Sequence, residues 1–132
     1  MKKSKKQIKN FILKTLLPYK ENPSTCGFNF GDETCEYLTD DGRKCAFGKW
    51  MKKGQWQLPI HNSRVASRLI EVFSINILLK PARDMQFTGY QWDLIQECHD
   101  RIADSSNPTI INMKVARIEE AFNLELPELK IN

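Results

Sequence analysis

Long apolar runs are absent from this sequence. The longest are interrupted by Lys14, Pro18, Glu71 and Lys80, so none reaches the roughly 20 residues that a membrane-spanning helix needs. Histidine is scarce, with only His61 and His99. That is too few for the ligand sets of metal-dependent phosphohydrolases, although His99-Asp100 has the look of such a pair. There is no Cys-x-x-Cys pair, Walker loop, Gly-x-Gly-x-x-Gly or His-Glu-x-x-His, so the common zinc-knuckle, nucleotide-binding and metalloprotease signatures are excluded. A length of 132 residues suits one domain and is too short for the large nucleotide-dependent enzyme folds.

What is present is enough for a folded globule. Hydrophobic residues make up 41% and charged residues 27% of the chain, a balance that buries a core without a metal or disulfide staple. The start, Met1-Lys2-Lys3-Ser4-Lys5-Lys6, is basic like the first region of a signal peptide. Lys9 and Lys14 then spoil the apolar segment that should follow. The expectation is a cytoplasmic protein in which Cys26, Cys35, Cys45 and Cys98 are thiols. The net charge of +4 is unevenly spread. Residues 1–60 hold 12 Lys/Arg and 6 Asp/Glu, and residues 61–132 hold 8 and 10. The +6 of the first part against the −2 of the second allows an anionic partner on the N-terminal side.

The spacing of Ile8, Phe11, Ile12 and Leu16 predicts a first helix over 4–17, capped by Ser4 and stopped by Pro18, with most lysines on the opposite face. Pro18 to Asp32 reads as loop. Asp40-Asp41-Gly42 between two β-prone runs predicts a hairpin over 34–48. A two-residue turn would pair Leu38 with Cys45. A three-residue loop with Gly42 left-handed would pair Thr39 with Arg43, and it sorts apolar from polar side chains better. Helices follow at about 63–79, 89–104 and 112–124, with residues 74–79 ambiguous between helix and strand. Trp92, Ile95, His99 and Ile102 form one face of the third, and Asp93, Glu97, Asp100 and Asp104 another, read as solvated. The predicted class is α+β: a small antiparallel hairpin sheet of two to three strands packed on about four helices.

Two motifs then stand in order: Cys35, Asp41-Gly42-Arg43-Lys44-Cys45-Ala46-x-Gly48, and later Leu94-x-Gln96-x-x-His99-Asp100. In these the sequence resembles a loose group of small proteins of no established function encoded by phages and bacterial genomes. The match covers about a third of the chain and departs from the pattern at Glu97, where a less polar residue is expected. The resemblance implies phage origin rather than an activity.

Three chemistries compete for the remaining residues. Cys35, Cys45 and His99 could hold zinc, but their spacing fits no standard knuckle, and the plainer reading is that the thiols pack in the core. Cys45 activated by His99 would make a thiol nucleophile, but successive helical residues point about 100° apart, so Asp100 is a poor orienter of the ring. Lys6 and Lys9, with Lys49, Trp50, Lys52, Lys53 and Trp56, could bind nucleic acid, lysine meeting phosphate and tryptophan stacking on bases. The preferred reading is a non-catalytic accessory protein that binds a host macromolecule or an anionic signalling ligand and counters a host defence. The nucleic-acid module is second and the Cys/His metal or thiol enzyme third.

Overall fold

A computed structural model describes residues 3–29, 31, 34–53 and 66–132. Helix α1 spans Lys5–Glu21 and opens on a capping box, in which Ser4 and Gln7 each bond the other's backbone N–H. Helix α2 spans Ala66–Phe73, α3 Lys80–Arg83, α4 Gly89–Ala103 and α5 Pro108–Phe122. Thr88 and Gln91 form a second capping box at the start of α4.

The α+β expectation is corrected: the described residues are mostly helical, and the hairpin sheet over 34–48 is not formed. Regular pairing among them is confined to two-residue strands, β1 (Phe28–Asn29) and β2 (Thr34–Cys35), which run antiparallel with Phe28 opposite Cys35. The Asp-Gly turn itself closes in the three-residue register. The Thr39 N–H donates to the Arg43 carbonyl at 2.8 Å, Leu38 bridges Lys44, and Gly42 carries φ +89°. Pairing stops there because the second arm spends its bonds elsewhere. Lys44 also bridges Cys26 in parallel, and at Cys45 the chain enters a tight turn followed by a 3-10 turn at Gly48–Trp50. Cys45, Ala46 and Phe47 are all fully buried. A strand with one wet face exposes every second residue, so three consecutive buried positions are incompatible with it.

Other boundaries shift for local reasons. Pro18 lies inside α1 rather than ending it. It has no N–H to offer the Lys14 carbonyl, but its own carbonyl accepts the Asn22 N–H at 3.0 Å, so one more turn is completed. Asn107-Pro108 begins α5: Asn107 caps the helix and Pro108 occupies its first position, where a missing N–H costs nothing. Asn112, at the predicted start of this helix, lies inside it and exchanges two bonds with the Ile131 backbone. Residues 74–79 are neither long helix nor strand. Ser74 turns the chain with φ +67°, Ile75–Ile77 make a 3-10 turn, and Leu78 bridges Met51. Pro81 then sits in the first turn of α3. The predicted start of the second helix, near residue 63, lies outside the described residues.

Helix α4 is the central element, packed against α1, α2 and α5. Trp92 on it is fully buried and meets Phe11, Phe47 and Phe87 with ring centroids 5.1 to 6.0 Å apart. Among the described residues no helix is long and apolar enough to cross a membrane.

Candidate functional site

The two motifs meet at Gln96. Its side-chain oxygen accepts the Phe47 N–H at 3.0 Å, and its amide nitrogen lies 3.0 Å from Cys35 Sγ and 2.9 Å from Asp100 Oδ1. His99, fully buried, places Nδ1 2.8 Å from Asp100 Oδ1 and 3.2 Å from the Gln96 amide nitrogen. The network assigns the tautomer: with Nδ1–H donating to Asp100, both Gln96 amide hydrogens are left for Asp100 and Cys35. In the neutral ring the Nε2 lone pair then points into the interior, with no partner among the described residues. Asp100 does orient His99, against the sequence expectation, because neighbouring side chains of one helix can meet tip to tip when one folds back.

Three of the thiols, Cys26, Cys35 and Cys98, are held protonated. Burial, then the nearby Asp100 charge, pushes Cys26 up to about 12. Its hydrogen bond with Cys45, then burial, raises Cys35. Burial pushes Cys98 up to about 12. The thiolate is the nucleophile and the metal ligand, so none of these three is poised for either role at neutral pH. Among the described residues no three of His, Cys, Asp and Glu are arranged to hold a metal ion. The cluster is therefore read as a buried tie between the 43–48 segment and α4. Gln96→Leu keeps the volume but strands the Phe47 N–H and removes the amide bonds to Asp100 and Cys35. It is expected to cost about 2–3 kcal/mol in urea denaturation, and unchanged stability would show the tie to be idle.

Tyr19 separates this interior from the surface. Its ring stands edge to face with His99 at 4.6 Å, and its hydroxyl donates to the Lys44 carbonyl at 2.6 Å. On its outer side an open groove of about 540 Å³ runs between the end of α1 and the turn that follows Gly42. Lys49 enters it half-buried. Its ammonium donates to the Thr15 carbonyl at 3.1 Å and lies 4.7 Å from the Tyr19 ring centre. Burial, then the neighbouring Lys14 charge, lowers the Lys49 pKa. None of the ion pairs among the described residues involves Lys49.

The other residues singled out from the sequence scatter. Trp50 is buried, and its indole N–H donates to Thr15 Oγ1 at 2.9 Å, so it is a core residue rather than a stacking platform. Lys9 pairs with Glu128 at 3.2 Å. Lys6 and Lys53 are exposed and Lys52 is half-buried. Trp56 lies outside the described residues. The acidic face of α4 is engaged rather than merely solvated. Asp93 accepts the Ser67 N–H, Glu97 pairs with Lys114, and Asp104 bonds Ser106. Tyr19 carried a readable signal that a helix ended at Leu17 hides: Ile12, Thr15, Leu16 and Tyr19 share one helical face, and all four are buried. No family model, curated protein or solved structure matches the chain.

Proposed function

We propose that this chain is a non-catalytic binding protein with an anionic partner. It belongs with the phage- or bacterium-encoded group its motif order resembles, and acts in the host cytoplasm against a defence system. The observation that carries the reading is Lys49. The Thr15 carbonyl and the Tyr19 ring meet its ammonium, but no carboxylate of the described chain pairs with it, so a half-buried positive charge stands at the groove without an ion-pair partner. An anion entering the groove supplies that partner. The raised Cys26, Cys35 and Cys98 thiols speak against covalent chemistry at those three positions. The nucleic-acid module is weaker than this reading because Trp50, one of its two stacking residues, is committed to the core.

The test is binding of long-chain inorganic polyphosphate, followed by fluorescence anisotropy at low salt. Wild type binds, and Lys49→Glu weakens binding by at least about tenfold, the scale of one lost charge-assisted hydrogen bond. Wild-type protein that ignores the polyanion at low salt would sink the reading.

A further inference from the structure

We propose that the groove between the last turn of α1 and the Gly42–Lys49 segment is a binding site for a small phosphate compound carrying several negative charges. This rests on the anion-binding reading above and narrows it to a site and a ligand class. Lys49, Lys44 and Arg43 all line the groove from the side of the Gly42–Lys49 segment. Arg43 cannot offer its planar fork, because Nε is given to Asp41 and Nη1 to the Cys26 and Phe28 carbonyls. Bidentate Arg recognition, the usual means of gripping a carboxylate, is thereby spent within the fold. The Lys49 ammonium is a compact point charge suited to phosphate oxygens, and Lys44 adds positive charge to the same lining. Asn22 adds a neutral donor. Its side-chain oxygen already accepts the Ser24 hydroxyl, which leaves its amide hydrogens for a ligand.

Size and surroundings argue for a small molecule rather than a polymer. About 540 Å³ is ample for a ligand with several phosphates and falls within the range of small-molecule sites. A strand of nucleic acid needs a track of cations, with 6–10 phosphate contacts common. Two of the lysines that would extend the track along α1 are engaged. Lys9 pairs with Glu128, and Lys20 donates to the Glu128 and Lys130 carbonyls at 2.7 and 3.0 Å.

The experiment is calorimetric titration of the full chain with inorganic tripolyphosphate and, separately, with a single-stranded 20-nucleotide DNA. Tripolyphosphate is expected to bind at one site. Lys49→Gln and Lys44→Gln should each weaken it by at least about tenfold, with melting temperatures near wild type, and Lys53→Gln should leave it within twofold. Tripolyphosphate binding that survives both groove substitutions overturns the site. If long polyphosphate or DNA binds and tripolyphosphate does not, the small-ligand inference fails while the anion-binding reading stands. If no anion binds at low salt, both fail.

Discussion

Gly27→Ala is expected to abolish stable folding or to cost on the order of 4 kcal/mol, a large share of the 5–15 kcal/mol that holds a domain together. A Cβ built at Gly27 falls 2.1 Å from the Cys45 nitrogen, 2.4 Å from the Lys44 carbonyl carbon and 2.6 Å from the Glu36 oxygen. All three are backbone atoms from two separate segments, so no side-chain rotation relieves the clash, and overpacking against backbone exceeds the usual core penalty. Gly42→Ala is the internal control. Gly42 has φ +89° but open space around it, so it suffers conformational strain alone, about 1 kcal/mol. Urea denaturation of the two variants measures the difference, and a Gly27→Ala protein as stable as wild type would show that segments 26–28 and 43–45 do not lie so close.

Stability is expected to fall steeply above pH 9. Cys26 and Cys98 are raised from an ordinary 9.0 to about 12, chiefly by burial, and Cys35, Tyr19 and Tyr37 are also raised. Each group holds its proton more tightly folded than unfolded. Below pH 9 both states are protonated and the contribution is complete. Between pH 9 and 12 the unfolded chain releases thiol protons that the folded chain keeps, so stability declines with rising pH. By about pH 10.5 each of the two thiols removes roughly 2 kcal/mol. Urea midpoints should be flat from pH 7 to 8.5 and drop beyond, with a shallower drop in Cys98→Ala. A midpoint that holds to pH 10.5 would mean that the thiols are wet.

The elements legible in the sequence are those whose signals are local. The Thr88 cap and the Trp92, Ile95, His99, Ile102 stripe announce α4 with both ends nearly right, and Asp41-Gly42 announces a turn. What failed depended on partners distant in the chain. The arm after Gly42 alternates well enough for a strand, but Lys44 is claimed by Cys26 and Phe47 by Gln96, which local periodicity cannot report. The Lys49-to-Trp56 cluster has the composition of a nucleic-acid loop, yet Thr15, 35 residues away from Trp50, draws the indole inward. Gln96 stood out only as part of a motif, and nothing in its neighbourhood reveals that one carboxamide would gather a backbone N–H, a thiol and a carboxylate.

The position of Tyr19 as a single-ring partition gives the protein a built-in spectroscopic reporter. One face of that ring borders the groove, and the imidazole of His99 lies within its ring-current field. The chain has only one other imidazole, His61, so His99 resonances in a proton–nitrogen spectrum are readily assigned. Any occupant that tilts the phenol by a few degrees would shift those resonances without a label being introduced.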